Sequence, residues 1–412
     1  MPPRTTPGAT RHRPVSGAGL IAAAYGVMNV CTYVFTWQAA RALGPSRYGA
    51  LASLMATLLV VGVLQLGLQA ATARAIAVHP DQAGAIRRAA LGVGLRWSAA
   101  AGVLLLVASP LVDLVLHLDS VGTAMALAVG AVPMTYTGAQ LGVLQGQRRW
   151  RPLAAAYLVT GLGRVAIGGA VLWLQPQVWT ALLAVAASQW LPALIAGWAL
   201  RHTPAPHEPP PGAPTFSLGV ESLHSSHLLL AFFALANTDV VVARIAFPGH
   251  AAGLYAGGLI LAKAMLFLPQ FVVIVAFPSM STAAERRRAL GASLGLVSAL
   301  GLVGALAALA LPDLALVFVG GEKYGDIAGS LWLFAVLGTL LSLLQLLVYS
   351  ALAERARHTV LIVWATLAVV AALGALTDAP RHLLAVVLAC DVVLLILLAV
   401  RTARSHRLAT LQ

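Results

Sequence analysis

Long apolar runs recur along nearly the whole 412-residue chain, separated by short groups of polar residues. Each run is about 18 to 25 residues long, which as a helix is enough to cross a hydrocarbon core of roughly 30 Å. Backbone polar groups inside a bilayer have to bond within their own segment, so runs of this length predict helices. Twelve spans are predicted, at residues 17–40, 49–73, 89–112, 121–146, 153–174, 178–200, 218–243, 252–276, 289–311, 328–352, 359–377 and 382–401. The predicted fold class is an all-α integral membrane protein with about twelve transmembrane helices.

Composition excludes a water-soluble domain, because 60% of the residues are hydrophobic and only 9% are charged. The loops between the predicted spans are short, whereas a membrane glycosyltransferase or polymer ligase would present its catalytic groups on a substantial external loop. The segment GLGRVA at 161–166 has a dinucleotide-binding spacing, but it lies inside a predicted span with no strand before it, and helix packing explains its glycines better. We therefore predict that the protein is not an enzyme and needs no cofactor.

One break in composition divides the chain. The segment RHTPAPHEPPPGAPT at 201–215 holds six prolines, so it cannot be helical and is predicted to be a semi-rigid linker. It leaves six predicted spans on each side. The predicted organisation is a six-helix bundle over 1–200, a cytoplasmic linker over 201–216 and a second six-helix bundle over 217–412, around a central cavity.

The positions of the cations predict the orientation. If the N-terminus is cytoplasmic, the cytoplasmic segments hold eighteen Lys and Arg residues and the outer segments hold five, with the other three of the 26 inside spans. Lys and Arg of short loops are retained on the cytoplasmic side, so both termini are predicted to be cytoplasmic. The net charge of +13 is then a topological signal that requires no nucleic-acid partner. Clusters such as ERRR at 285–288 are expected to rest against anionic membrane lipids.

Four charged residues in predicted spans stand out: Arg164, Lys263 and Asp391 near the middle of theirs, and Asp239 near the outer end of its span. Each would cost on the order of 2.5 to 3.5 kcal/mol if it faced lipid, so they are expected to face a cavity or one another. Asp239 and Lys263 fit either an ion pair that locks neighbouring helices or a hydrated substrate cavity. Asp391 fits either a functional site or a bond to a neighbouring helix.

Two further patterns concern helix packing and polar helix ends. Glycines four residues apart at 138–146 and 253–257 predict close approach of helix backbones. In ESLHSSH at 221–227, one glutamate and two histidines share a helix face, which fits a metal site, a proton relay or ordinary polar residues at the start of a helix. No second cluster supplies further ligands, so we predict no metal site.

Four segments carry a resemblance to a known family: ARALGPSRYGALASL at 40–54, NTDVVVARIAFPGHAAGLYAGG at 237–258, AFPSMS at 276–281 and FVGGEKYGDIAGSLWLF at 318–334. In order and spacing, and over most of the chain, they resemble the bacterial polysaccharide flippases of the multidrug/oligosaccharidyl-lipid/polysaccharide (MOP) transporter superfamily. The resemblance implies a flippase or exporter that moves lipid-linked oligosaccharide or polysaccharide precursors across the bacterial inner membrane by alternating access of two bundles.

The resemblance also implies the chemistry of a substrate site. An anionic polyprenyl pyrophosphate head requires buried cations, for which Arg164 and Lys263 are candidates, with Arg41 and Arg74 near the mouths of the cavity. Sugars require amides and aromatic faces. The candidates for sugar contacts are Gln65, Gln69, Tyr136, Gln140 and Asn237.

The partners implied are the lipid-linked oligosaccharide, membrane lipids and the polysaccharide assembly machinery, while coupling to protons or other cations stays open. The alternative function is a cation-coupled multidrug antiporter of the same superfamily. Such a cavity would hold acidic residues that exchange a cation for the drug, and Asp239 and Asp391 are the candidates.

Overall fold

A computed structural model describes residues 17–202, 218–266, 283–353 and 357–409, and every regular element in these ranges is helical. Most of the predicted linker at 201–216 and the whole segment at 276–281 lie outside the described residues. Of the motif at 221–227, only the side chain of His227 is described.

The first half of the chain forms seven α-helices, joined by a 3₁₀ turn at Pro80–Gln82 and a π-helical turn at Arg164–Gly168. The helices are α1 Gly17–Val78, α2 Ala83–Leu116, α3 Val121–Gly146, α4 Trp150–Gly163, α5 Gly169–Leu174, α6 Val178–Ser188 and α7 Trp190–Arg201. The second half forms seven more, with a 3₁₀ segment at Glu322–Ser330. These are α8 Leu218–Ala246, α9 Gly249–Met265, α10 Ala283–Ala310, α11 Pro312–Val319, α12 Leu331–Ala353, α13 Arg357–Gly374 and α14 Pro380–Ala409.

Within the described ranges, nine helical segments are long and apolar enough to cross a membrane. One of them, 19–78, contains the first two predicted spans, so the nine account for ten of the twelve. The eighth predicted span is described only up to residue 266, and the eleventh is the shorter apolar helix Thr359–Gly374. The all-α membrane fold with about twelve spans is confirmed.

Apolar side chains cover much of the outside of the bundle. On α2, for example, Leu104, Val107 and Leu114 are each more than two-thirds exposed. A water-soluble protein does not present a continuous surface of this kind, whereas a bilayer accommodates it. The protein is therefore a multi-pass membrane protein.

The helix α1 contains the turn between its two spans. Gly44 has φ 72° and ψ 173°, outside the helical region, and Pro45 follows it. Glycine adopts this conformation at low cost and proline cannot donate the next helical hydrogen bond, so the direction of the chain changes here. The predicted junction at 40–54 and the turn at Pro248 and Gly249, between α8 and α9, both lie at the predicted outer end of the bundle.

The two halves pack together at this outer end. A Cβ on Gly253 of α9 would meet the backbone of Pro45, and a Cβ on Gly49 would come within 2.9 Å of Cα of Gly253. Within the first half, Gly138 and Gly142 of α3 lie as close against the backbone of α1 at Gln65 and Gln69. The predicted close approach of helix backbones is confirmed at Gly138, Gly142 and Gly253, whereas Gly257 packs against the ring of Tyr324.

The hydrogen bonds of the described residues include six that join the halves, and these six lie at the predicted outer end. Arg244 of α8 donates to the carbonyl oxygens of Leu116 and His117, both at 2.8 Å. The other four connect α1 to the segment around residues 317–324: Tyr33 to Phe318 O, Trp37 to Val317 O, Lys323 to Arg41 O and Tyr324 to Ala40 O. In each bond a side chain of one half donates to a backbone carbonyl of the other, and together they close this end.

Candidate substrate site

Arg164 lies where the α4 helix changes its winding. The chain passes from α4 into the π-helical turn Arg164–Gly168 and then into α5. Single π-turns inside helices often accompany functional sites, because the extra residue redirects the side chains around it. Here the turn places a half-buried guanidinium inside a segment that spans the membrane.

The described contacts of Arg164 are long and uncharged. Nη1 lies 3.5 Å from Oγ1 of Thr32 and Nη2 lies 3.4 Å from Oε1 of Gln189. Nε is buried without a hydrogen-bond partner in the described part of the chain. None of these contacts neutralises the charge. The arrangement therefore suits an anion with several oxygen acceptors.

The first part of α1 and the α4 helix lie side by side and contact each other at three successive levels. The ring of Tyr25 meets that of Tyr157 edge to face, with centroids 5.4 Å apart. Gly161 lies against the backbone of Met28, and two turns beyond Tyr157 the side chain of Arg164 reaches Thr32. This register aligns Tyr157 and Arg164 on the same face of one helix, about 10 Å apart at 1.5 Å per residue.

A group of amides lies beside these tyrosines. Nε2 of Gln69 is 2.8 Å from both Oε1 of Gln145 and the hydroxyl of Tyr157. Gln140 is buried, and its Oε1 has no partner in the described ranges. Gln65 and Tyr136, on α1 and α3, are half-buried. The structure thus places the predicted sugar-contact residues Gln65, Gln69, Tyr136 and Gln140 in the first half of the chain.

In the second half, Lys263 and Asp239 do not form the direct ion pair that was one of the two predicted alternatives. Nζ of Lys263 bonds to Oδ1 of Asn237 at 3.2 Å. Asp239 accepts instead from the backbone nitrogen of Val240 at 2.8 Å and from the hydroxyl of Tyr255 at 3.2 Å. Lys263 and Asp239 are close enough to interact electrostatically. The lysine charge is therefore partly compensated, unlike that of Arg164.

Asp391 of α14 is almost fully buried, with 1% of its surface exposed. Neither carboxylate oxygen has a hydrogen-bond partner among the described residues. It interacts electrostatically with Asp239. A buried carboxylate with both oxygens unpaired is costly, so it requires a bound cation, a proton or an unseen polar group.

The other two predicted cations lie away from these buried groups. Arg41 is exposed beside the turn at Gly44, where its guanidinium is 5.5 Å from the centre of the Trp37 ring. Arg74 is exposed near the end of α1. Their role at the mouths of a cavity stays a prediction. In the described ranges, no group of three His, Cys, Asp or Glu residues could hold a metal ion.

Sequence reasoning missed several uncharged residues of the site. They are Tyr25, Thr32, Gln145, Tyr157, Gln189 and Tyr255. A glutamine or tyrosine on an apolar helix carries no pattern that separates a site residue from a helix-packing residue. The spacing of seven between Tyr157 and Arg164 was the one available signal.

Comparison with solved structures identifies the fold. An inward-facing multidrug resistance MATE family transporter of the MOP superfamily matches with a TM-score of 0.70 and 15% identity, over 94% of this chain and 96% of that one. An outward-facing structure of such a transporter gives 0.63 at 15% identity, over 98% of both chains. A MOP superfamily transporter from Pyrococcus furiosus, described as having a binding pocket of reversed polarity, gives 0.58 at 16% identity over 93% of both.

The sequence itself matches a family model. No curated protein matches the chain. The model described as "Polysaccharide biosynthesis protein" matches residues 15–284, which is more than half of the chain. Because this match covers more than half of the chain, the chain belongs to the polysaccharide biosynthesis protein family. Its fold is that of the MOP superfamily transporters described above.

Proposed function

We propose that the protein is a flippase that moves lipid-linked oligosaccharide or polysaccharide precursors across the bacterial inner membrane by alternating access. Both termini and the proline-rich linker are cytoplasmic in this proposal, and the two six-helix bundles enclose the substrate path. The family match supports a role in polysaccharide biosynthesis. The fold supports transport, since the matched structures described above are transporters.

The observation that carries the proposal is the uncompensated Arg164. This guanidinium lies inside a membrane span, and its contacts among the described residues are two long ones to neutral oxygens, so it is stabilised when an anion binds there. A pyrophosphate offers several charged oxygens to the donors of one arginine. Lys263 is a second candidate for this anion, although its ammonium already contacts Asn237.

The closure between the halves supports alternating access. The described hydrogen bonds between them lie at the predicted outer end, which corresponds to a state open toward the cytoplasm. The higher TM-score of the inward-facing transporter agrees with this state. A precursor made in the cytoplasm would enter the site in this conformation.

Asp239 and Asp391 are our candidates for coupling transport to protons or other cations. Both are buried in the second half, and the unpaired oxygens of Asp391 leave room for a proton or a cation. Occupation by a cation in one state and release in the other would link the ion gradient to the movement of the bundles. The same two acids favour the alternative function, a cation-coupled multidrug antiporter.

The test compares Arg164→Gln with Arg96→Gln. Arg96 is also inside a predicted span, but it is exposed. In a strain that lacks the gene, lipid-linked repeat units should accumulate on the cytoplasmic leaflet and the surface or secreted polysaccharide should decrease. Arg96→Gln should restore both, whereas Arg164→Gln, at equal protein level in the membrane, should restore neither.

The antiporter gives a different result in the same strain. If the polysaccharide is normal and the strain becomes sensitive to cationic drugs, the flippase proposal is wrong. A variant at Arg164 that transports as well as the unmodified protein would remove the observation on which the proposal rests.

A further inference from the structure

Three tyrosines lie near the predicted cytoplasmic ends of three helices, on the cytoplasmic side of Arg164. Tyr25 of α1 and Tyr157 of α4 form the edge-to-face pair, with centroids 5.4 Å apart. Tyr349 lies near the end of α12, in the second half of the chain. The three tyrosines therefore belong to both halves of the chain and lie at the end opposite to the hydrogen bonds that close the bundle.

A glutamine amide donates to a tyrosine hydroxyl in each half. In the first half, Gln69 donates to Tyr157 at 2.8 Å. In the second half, Gln345 donates to Tyr349 at 3.1 Å. Oε1 of Gln345 is buried and has no partner in the described ranges, while the side chain of Tyr349 is 42% exposed. Each half of the chain thus offers an aromatic ring together with an amide.

The chemistry of these five side chains is uncharged throughout. Carboxylates would be required to attract a cationic drug, and cations to attract a phosphate, and this group provides neither. A sugar ring has apolar C–H faces that stack on aromatic rings, and hydroxyls that both donate to and accept from amides and phenols. The donors and acceptors of Gln69, Gln345 and the tyrosines match a saccharide.

The group also lies at a useful depth. Tyr157 precedes Arg164 by seven residues on the same helix face, which corresponds to about 10 Å along the axis. A ligand whose phosphate contacts Arg164 can therefore place its sugar among the tyrosines without leaving the face of α4.

We propose that Tyr25, Tyr157, Tyr349, Gln69 and Gln345 form a saccharide-binding vestibule that contacts the sugars next to the pyrophosphate of the substrate. This inference rests on the proposed function, since it takes Arg164 as the phosphate site. The vestibule selects for the carbohydrate, and Arg164 binds the anionic group common to all such lipids.

The test measures binding to the full-length protein in lipid nanodiscs. The probes are a short-chain polyprenyl diphosphate without sugar and the same diphosphate bearing one hexose or one N-acetylhexosamine. At least one glycosylated probe should bind about tenfold more tightly than the bare diphosphate. Tyr157→Leu should abolish this gain and leave the affinity for the bare diphosphate unchanged, which also shows that the variant is folded.

Two further variants sharpen the result. Tyr157→Phe keeps the ring and should retain most of the gain, whereas Trp198→Leu removes an aromatic ring that is 64% exposed elsewhere and should change nothing. Equal affinities for bare and glycosylated probes, or an equal loss for both in Tyr157→Leu, would refute the vestibule and leave the flippase standing. The proposed function would be refuted as well if no probe bound and if Arg164→Gln restored the polysaccharide as well as the unmodified protein does.

Discussion

Buried charges without partners distinguish the two halves at the residue scale. Within the part of the chain that the structure describes, Arg164 in the first half has no acidic partner, and neither carboxylate oxygen of Asp391 in the second half is paired. Such groups lower stability unless something binds them, so their presence in a membrane-spanning segment indicates function. The two opposite charges correspond to the two species that the proposed transporter handles, an anionic substrate and a coupling cation.

Replacement of Asp391 by asparagine separates stability from coupling. The change removes a buried charge and keeps the shape, so we expect the thermal midpoint of Asp391→Asn to stay equal or to rise. Transport driven by a proton or sodium gradient should fall by about tenfold or more, because the variant can no longer exchange charge at this position. The measurements are thermal unfolding in detergent and gradient-driven uptake into proteoliposomes.

The exposed Asp378 supplies a matched control, since Asp378→Asn removes a carboxylate from a loop. It should leave both quantities unchanged. A lower midpoint in Asp391→Asn with transport intact would assign this carboxylate a purely structural role.

The sequence predicted that these four charged residues lie in spans, and Asp239 and Asp391 are buried, but it did not predict their hydrogen-bond partners. A charged residue within an apolar span can be recognised from the sequence alone, and Asp239 and Lys263 were identified in this way. Lys263 bonds instead to Asn237, and Asp239 to Tyr255, and these partners depend on the rotation of α8 and α9 about their axes. That rotation is determined by packing across several helices and has no local signal.

The helices themselves were predictable at the element scale, because each long apolar run has only one stable form in a bilayer. The turns at Gly44–Pro45 and Pro248–Gly249 follow from residues that cannot continue a helix. The π-turn at Arg164–Gly168 was not predicted, since its residues carry no feature that separates it from an ordinary helical turn. The close contact of α1 with α9 was foreseen only as a small-residue pattern.

Gly253→Ala tests that contact. A Cβ at this position would overlap the backbone of Pro45, and backbone cannot move aside as a flexible side chain can. We expect a loss of about 1 to 3 kcal/mol, typical of overpacking, measured as a lower thermal midpoint of the purified protein.

Gly92→Ala is the control within a helix, because nothing lies within 4 Å of its added Cβ. It should be neutral or slightly stabilising, since alanine favours helix more than glycine does. Equal midpoints for the two variants would contradict the close approach of α1 and α9.

At the scale of the whole molecule, the first issue is orientation. The bias of eighteen cations to five predicts that the linker at 203–214 is cytoplasmic and that Gly249 is outside. A reporter active only in the cytoplasm should be active in the linker, and a reporter active only outside should be active next to Gly249. The reverse labelling would place the closed end of the bundle on the cytoplasmic side and invert the proposed direction of substrate access.

The last prediction concerns the change of state between the two ends. Arg244 holds α8 to the end of α2 with two charge-assisted bonds of 2.8 Å, so Arg244→Gln should weaken closure of the predicted outer end. Cysteines placed on either side of this end should then report an open population about tenfold larger by spin-label distance measurement. Arg47 is the matched control. It lies beside the turn at Gly44–Pro45, at the same end of the bundle, but it donates to the carbonyl oxygen of Pro176 within its own half, at 3.3 Å. Arg47→Gln should leave the populations unchanged; an equal shift in both variants would mean that surface charge, and not the bond between the halves, determines the state.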